Sequence, residues 1–214
     1  MNNQRGMLTI ISGFSGAGKG TIVKEIFKTY KDDYSLSISA TTRKPREGEE
    51  DGVQYFFLDK EVFEQKIKEN QFLEHAKYVD NYYGTPKDFV FNKLDQGISV
   101  ILEIEMQGAL KVKEQYPDTV LIFVTPPNAE ELEARLRGRG TETEEVICDR
   151  LSRASEEAEF MSKYDYVVVN ESGKVAECAA RIHHIIETEK SRSIYSGQTI
   201  SEMTEGLVKY KKGE

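Results

Sequence analysis

Several features that organise other protein classes are scarce or missing in this sequence. It has no tryptophan, two cysteines and five prolines in 214 residues. Cys148 and Cys178 lie far apart, without a Cys-x-x-Cys spacing or a nearby histidine pattern, which argues against a disulfide framework and a zinc site. No apolar run approaches the ~18 residues that a membrane span needs. We therefore expect a cytoplasmic protein with reduced thiols and no membrane partner.

An excess of positive charge is also missing. Lysine and arginine number 29 against 37 aspartates and glutamates, so the net charge is −8. This sign is wrong for a general binder of nucleic acid, and we expect no nucleic-acid partner. Any phosphate chemistry must therefore depend on local basic clusters.

Short apolar runs rich in β-branched residues alternate with helical patterns along most of the chain. The runs that suit buried strands are residues 7–12, 98–104, 119–124 and 166–169. Strands that alternate with helices over short connections predict a parallel sheet with helices on both faces. The expected fold class is α/β.

Three segments carry the signals of a helix start. Thr85 and Pro86 predict a helix with threonine as its N-cap and proline in its first turn. Residues 128–131 (NAEE) have the pattern of a capping box, and residues 141–144 (TETE) have a similar pattern. We expect a helix to begin at each of these places.

The sequence predicts one domain at residues 1–190, followed by a polar tail at 191–214. Residues 37–85 interrupt the alternation with short strands, a charged loop and a helix near 60–69, which indicates an inserted small α+β subdomain. Residues 135–150 are charged, contain two glycines and are typical of a mobile lid. The core then consists of residues 1–36, 86–134 and 151–190, and we expect the tail to be weakly ordered.

A glycine-rich segment lies between the first predicted strand and a helical pattern. It has the spacing G-x4-G-K and comprises Gly13, Phe14, Ser15, Gly16, Ala17, Gly18, Lys19, Gly20 and Thr21. Such a loop directs backbone N–H groups at phosphate oxygens, and its lysine adds a mobile charge for the outer phosphates. These nine residues predict an ATP-binding P-loop.

The P-loop departs from the usual pattern at one position. A serine or threonine normally follows the lysine and supplies a hydroxyl to Mg²⁺, and here Gly20 takes that place, with Thr21 next. Two arrangements remain open. Thr21 coordinates the metal, or ATP phosphates and water hold it.

Four segments that follow the loop indicate which family of nucleotide-binding proteins the sequence resembles. They are TTRKPREGEEDGVQY at 41–55, NYYGT at 81–85, EIEMQG at 103–108 and RLRGRGTET at 135–143. In this order they resemble the motifs of the guanylate kinase family, which belongs to the P-loop nucleoside monophosphate kinases. The resemblance extends from about Met7 to about residue 188.

The resemblance implies a P-loop NTPase core and an ATP:GMP phosphotransferase of purine nucleotide metabolism. Such an enzyme transfers the γ-phosphoryl of ATP to GMP or dGMP, with Mg²⁺ accompanying ATP, and GMP gives GDP with release of ADP. Catalysis of this kind is chiefly positioning and electrostatic stabilisation, and it requires no covalent nucleophile.

The resemblance also implies that the inserted subdomain binds the phosphate of GMP. Arg43 and Arg46 match arginines that clamp this phosphate in the family, together with Tyr55 and Tyr83. Guanidinium groups suit the task because they offer several donors in a fixed plane. Without the family pattern, the RKPR segment would be equally consistent with a solvated basic loop.

The guanine base would be recognised by carboxylates and a hydroxyl. Guanine presents an acceptor at O6 and donors at N1 and the amino group. Ser39 would donate to O6, Glu74 would accept both donors, and Glu105 would accept a remaining amino hydrogen. The other residues assigned to the GMP site are Glu49, Gly84, Thr85, Glu103, Gln107 and Gly108.

The remaining assigned residues surround the transferred phosphoryl group or ATP. By resemblance, Lys19, Arg135, Arg139 and Arg150 are the catalytic residues, and Asn170 lies near the adenine of ATP. Arg137 and Arg153 match no such position, and we assign them to solvent or to ion pairs.

Two alternatives remain open on the sequence. One is a non-catalytic guanylate-kinase-like module that uses the acceptor pocket to bind a phosphorylated peptide. The other is a related kinase that acts on another small acceptor. The oligomeric state, monomer or homo-oligomer, is also open.

Overall fold

The computed structural model describes residues 5–138, 140 and 142–211. Its strands are β1 (Leu8–Gly13), β2 (Tyr34–Leu36), β3 (Ala40–Thr41), β4 (Phe56–Phe57), β5 (Phe72–Tyr78), β6 (Asn81–Pro86), β7 (Ser99–Glu103), β8 (Val120–Thr125) and β9 (Tyr166–Val169). Its α-helices are α1 (Lys19–Thr29), α2 (Lys60–Lys68), α3 (Lys87–Asp95), α4 (Met106–Gln115), α5 (Ala129–Arg137), α6 (Glu144–Ala158), α7 (Val175–Lys190) and α8 (Gly197–Leu207). The described helices include none that is both long enough and apolar enough to cross a bilayer.

A five-stranded parallel sheet forms the centre of the molecule, in the order β2-β7-β1-β8-β9. Four of these strands lie within two residues of the predicted runs, so the predicted parallel α/β fold is confirmed. Strand β1 is central, with Ile10 and Ile11 fully buried, because helices cover both faces of a parallel sheet. Strand β2, which has only three residues, was not among the predicted runs of this sheet.

The helix starts differ in part from those expected. Asn128 caps α5 as predicted, and its side chain accepts a hydrogen bond of 2.8 Å from the backbone N–H of Glu131. The prediction for Thr85 is wrong, because Thr85 belongs to β6 and α3 begins at Lys87 with Pro86 as N-cap. Thr143 caps α6, and residue 141 lies outside the described residues.

A second sheet of four short strands, in the order β4-β3-β6-β5, occupies the region expected to be an insert. Its β3–β6 and β5–β6 pairs are antiparallel, and its β3–β4 pair is parallel. Helix α2 covers the sheet with a small apolar cluster in which Ala40, Phe63 and Phe72 are buried. This cluster is separate from the main core.

The segment after residue 190 is more regular than expected. A 3-10 turn at Ser193–Tyr195 precedes α8, and another follows it at Val208–Tyr210. The expectation of a weakly ordered tail overlooked the helical spacing of Ile200, Met203 and Leu207. All residues of α8 are exposed, so the helix adds little to the core.

Candidate active site

The glycine-rich loop connects the end of β1 to the start of α1, and close packing shapes it. A Cβ atom on Gly13 would lie 2.1 Å from the carbonyl oxygen of Val124 in the neighbouring strand. Gly18, the N-cap of α1, has φ 90°, a conformation that favours glycine. Backbone curvature of this kind and the N-terminus of α1 together form an anion-binding geometry.

Lys19 lies at the first position of α1 and folds back on its own loop. Its Nζ donates to the carbonyl oxygens of Gly13 at 2.7 Å and Phe14 at 3.1 Å. The ammonium group is therefore held within the loop, where it adds positive charge to the start of the helix.

Asn170 and Arg135 both hold the loop by hydrogen bonds to its backbone. The side-chain amide of Asn170 is buried, and its Nδ2 donates to the carbonyl of Ala17 at 2.8 Å. Arg135 donates to the carbonyl of Asn170 at 2.8 Å and to that of Ala17 at 3.4 Å, and its Nε pairs with Glu131 at 3.0 Å. The predicted catalytic arginine and the predicted adenine-side residue thus meet at one point of the loop.

Arg150 reaches the loop from α6. Its Nη1 donates to the Ser15 hydroxyl at 2.8 Å, and its Nη2 pairs with Glu142 at 2.7 Å. The contact with Ser15 joins residues that are 135 positions apart in the chain. The predicted Arg139 lies outside the described residues.

A second cluster of predicted residues surrounds Arg43 in the four-stranded sheet. Arg43 pairs with Glu49 at 2.9 Å, and its guanidinium lies 5.4 Å from the ring centre of Tyr55. The rings of Tyr55 and Tyr83 are 6.1 Å apart. The hydrogen bond that Arg43 donates to Glu49 lowers the pKa of the Glu49 carboxyl and raises the pKa of Arg43, so both groups are charged near neutral pH.

Arg46 contributes differently to this cluster. Its backbone N–H donates to Glu49 at 2.7 Å, while its residue is exposed. Glu49 therefore holds the loop between the two arginines in shape. The cluster thus contains one half-buried arginine, Arg43, and one exposed arginine, Arg46.

A third group of predicted residues centres on Glu74 of β5. Thr85 is buried, and its hydroxyl donates to Glu74 Oε1 at 2.8 Å. Strand pairing sets Ala40 and His75 against Gly84 on either side, so Ser39, one residue before Ala40, lies at the same level of the sheet. A Cβ on Gly108 would lie 3.4 Å from Glu74 Oε2, which shows how closely α4 approaches this carboxylate.

Burial sets the protonation behaviour of Glu74. Desolvation raises the pKa of its carboxyl, and the hydrogen bonds from Thr85 offset this only in part. A carboxylate with such an environment is stabilised by added donors. The pocket therefore favours a ligand that presents N–H groups to Glu74.

The EIEMQG segment lies where β7 ends and α4 begins, between the loop and the second sheet. Glu103 is the last residue of β7, and both of its carboxylate oxygens would lie 3.9 Å from a Cβ on Gly20. Glu105 is the N-cap of α4 and raises the pKa of Glu74 by its charge. Gln107 is exposed in the first turn of α4.

The structure adds four acidic or basic partners that the sequence analysis did not assign to the site. They are Glu131 and Glu142, which pair with Arg135 and Arg150, and Arg153 and Glu157, which pair with each other while Arg153 also reaches Glu105. The i,i+4 spacing of Glu131–Arg135 and Arg153–Glu157 is a signal that predicts such pairs. The contacts to Glu142 and Glu105 carry no such local signal.

A family model described as guanylate kinase matches residues 5–189. The guanylate kinase of Streptococcus mutans serotype c is 55% identical over 190 residues, which cover 89% of this chain and 90% of that protein. The guanylate kinase of Streptococcus pyogenes serotype M3 is 54% identical, with 89% of each chain covered.

A solved structure of a guanylate kinase also has a similar fold. The crystal structure of guanylate kinase from Anaplasma phagocytophilum matches with a TM-score of 0.65 and 30% sequence identity, covering 88% of each chain.

Proposed function

The chain belongs to the guanylate kinase family and is an ATP:GMP phosphotransferase, and on this premise we propose which of its residues bind each substrate. The loop at residues 13–21 binds the phosphates of ATP. The cluster around Arg43 binds the phosphate of GMP, and the pocket around Glu74 binds guanine. Closure of the lid, residues 135–150, and of the insert, residues 37–85, then brings the two phosphates into line.

The observation that carries this assignment is the convergence of Lys19, Arg135 and Arg150 on one loop. Three cationic side chains from three helices, α1, α5 and α6, contact the loop backbone or the Ser15 hydroxyl. Phosphoryl transfer requires such charges around the moving group, because negative charge spreads over its oxygens in the transition state. When ATP binds, Lys19 exchanges its loop carbonyls for phosphate oxygens, and Arg150 moves from Ser15 to the same group. We expect Arg139 to join them.

The residues near Gly20 also suit Mg²⁺, which prefers oxygen ligands and is usually bound through one or two carboxylates, substrate phosphates and water. Glu103 supplies a carboxylate next to the loop at Gly20, and the exposed Thr21 supplies a hydroxyl. The ion would neutralise charge on the ATP phosphates. Glu103 is thus placed to serve the metal as well as the GMP site to which its motif assigns it.

The side chain of Asn170 supports adenine as the preferred base of the nucleotide that supplies the phosphoryl group. Its Nδ2 is committed to Ala17, and its buried Oδ1 has no hydrogen-bond partner among the described residues. An unpaired buried acceptor favours a ligand that brings a donor. The exocyclic amino group of adenine is such a donor, whereas guanine carries an acceptor at the corresponding position.

The GMP pocket distinguishes guanine from other bases through donors and acceptors. Glu74 accepts from N1 and the amino group, Ser39 donates to O6, and adenine presents the wrong group at each point. Because no residue assigned to this site is directed at the ribose 2′-hydroxyl, dGMP is also a substrate. Arg43 and Arg46 exchange part of their contact with Glu49 for the phosphate.

The comparisons do not favour a phosphopeptide-binding module that lacks catalysis. The relatives that are 55% and 54% identical are named guanylate kinases. The chain also retains Lys19, Arg135 and Arg150 in contact with an intact loop. A binding module would need none of these contacts.

The direct test measures ADP production from ATP and Mg²⁺ with GMP, dGMP, AMP, CMP, UMP or dTMP at equal concentration. We expect strong turnover with GMP and dGMP alone. Turnover with another acceptor would refute the base assignment, and inactivity with all six would leave the phosphopeptide module as the better account. As a separate check, millimolar GMP should raise the unfolding temperature.

A further inference from the structure

Arg153 lies on α6, outside the residues that the family motifs assign to the site, and it contacts the acceptor side of the cleft. Its Nη2 donates to Glu105 Oε2 at 2.8 Å, although the two residues are 48 positions apart. Glu105 is the N-cap residue of α4, next to the guanine pocket. A side chain that follows the lid therefore touches a carboxylate assigned to the base of GMP.

Glu157 holds Arg153 in position from the same helix. The Nε of Arg153 donates to Glu157 Oε1 at 3.3 Å, one helical turn away. The Glu157 side chain is only 17% exposed, whereas that of Arg153 is 59% exposed. The anchored carboxylate thus fixes one edge of the guanidinium, and the other edge is directed at Glu105.

The pair between Arg153 and Glu105 is poorly suited to a role in stability. The Glu105 side chain is 75% exposed, and exposed ion pairs contribute little to folding. The charge of Glu105 is the main reason that the pKa of Arg153 is raised. This contact therefore affects mainly the direction in which the Glu105 carboxylate points.

We propose that Arg153 is a positioning residue for guanine recognition, which holds Glu105 so that its free oxygen faces the amino group of GMP. Arg153 occupies Oε2 and leaves Oε1 for the ligand. Arg153 lies on α6, the same helix that carries Arg150, so the orientation of Glu105 is set from that helix. This inference rests on the proposed assignment of Glu105 to the guanine site.

The test compares GMP with inosine monophosphate. The latter lacks the amino group from which Glu105 is proposed to accept a hydrogen bond. The ratio of kcat/KM for the two acceptors measures the contacts of this amino group, one with Glu74 and one with Glu105, and variants at Arg153 and Glu105 isolate the second of them. We expect Arg153→Gln to lower the ratio about fivefold, with the KM for ATP and the unfolding temperature unchanged. Arg153→Lys, which retains the charge, should recover most of the loss.

Three further variants separate the possible failures. Glu105→Gln should lower the same ratio, and adding Arg153→Gln to it should have little further effect, because the two side chains act on one contact. Glu156→Gln, at an exposed position of the same helix, is the matched control and should leave the ratio unchanged.

Each result has one meaning. If Glu105→Gln leaves the ratio unchanged, the assignment of Glu105 to guanine is wrong and the inference falls with it. If Glu105→Gln lowers the ratio but Arg153→Gln behaves like the control, the inference alone is overturned. A loss of ATP affinity, GMP affinity and thermal stability together in Arg153→Gln would show a structural role and would also overturn it.

Discussion

The two substrate regions of this enzyme are built in different ways. The ATP loop is fixed by backbone contacts and by buried side chains of the central sheet, as the close approach of Gly13 to Val124 and the buried amide of Asn170 show. The acceptor region depends on charged side chains such as Arg43 and Glu49, supported by a small apolar cluster.

This difference has a consequence for binding. The backbone of the ATP loop is set by the fold before any substrate arrives, so that only the side chains of Lys19 and Arg150 have to change partners. On the proposed acceptor side, Arg43 is paired with Glu49 within the protein, and under the proposed assignment GMP must exchange these ionic contacts for its own. We therefore expect changes in the loop region to reduce turnover and changes in the acceptor region to reduce GMP affinity.

The largest effect is expected from Lys19→Ala. Loss of the ammonium group removes charge stabilisation at the transferred phosphoryl, and kcat should fall on the order of 10³-fold. Steady-state assays with saturating ATP and GMP measure the loss. Lys24→Ala, on the exposed face of the same helix, is the control and should retain full activity. Near-normal turnover in Lys19→Ala would remove the loop lysine from the mechanism.

The next largest effect is expected from one of two arginines in the lid region, and the comparison is between the kcat values of their alanine variants. Arg150→Ala should lower kcat on the order of 10²-fold because Arg150 lies at the loop. Arg137→Ala should change kcat by less than about threefold, since Arg137 pairs with Glu133 and Glu144 at the surface. Equal losses in the two variants would mean that lid charge in general, rather than the contact at Ser15, supports catalysis.

Glu74→Gln tests the acceptor side of the comparison. The substitution replaces an acceptor oxygen by a donor, and the KM for GMP should rise about 10- to 100-fold. The KM for ATP should stay within about twofold. Glu61→Gln, exposed on α2, serves as the control, and Ser39→Ala should weaken GMP in the same selective way. Parallel changes in both KM values would contradict the assignment of the base.

The same variant should be more stable than the parent protein without substrate. Burial raises the pKa of Glu74 in the folded state above its unfolded value of about 4.3. The associated stability is therefore present below that value and is lost as the pH rises through the folded pKa. Glutamine avoids this loss, so the unfolding temperature of Glu74→Gln should exceed that of the parent by about 2 °C or more at pH 7.

Thermal unfolding at several pH values provides the measurement. The advantage of Glu74→Gln should shrink towards pH 4, where the parent carboxyl is protonated. Parallel unfolding temperatures at all pH values would show that Glu74 is not destabilised by burial.

The smallest effect is expected from removal of residues 197–214. Helix α8 is exposed along its whole length, so the shortened protein should keep its kinetic constants and unfold within about 1 °C of the parent. Removal of residues 182–214 is the contrasting case, since it deletes the buried Ile182 and Ile186 of α7. A large loss of stability in the shorter deletion would mean that α8 packs against the domain in solution.

Local patterns predicted the parts of the molecule that depend on neighbouring residues. The four core strands, the capping of α5 by Asn128 and the glycine loop all follow from short spacings in the chain. Thr85 was misassigned because its sequence suits a helix cap equally well, and only the pairing of β5 with β6 directs its hydroxyl to Glu74. The helix α8 was missed because a polar composition obscured its weak apolar spacing.

The sequence by itself determined the α/β fold, the phosphate loop and the family, because each depends on residue types at fixed short spacings. The tertiary structure alone decided the partners of the charged side chains. Arg150 meets Ser15 across 135 positions, and Arg153 meets Glu105 across 48. Such contacts arise only when helices pack against a sheet, because the side chains that meet there share no periodicity along the chain.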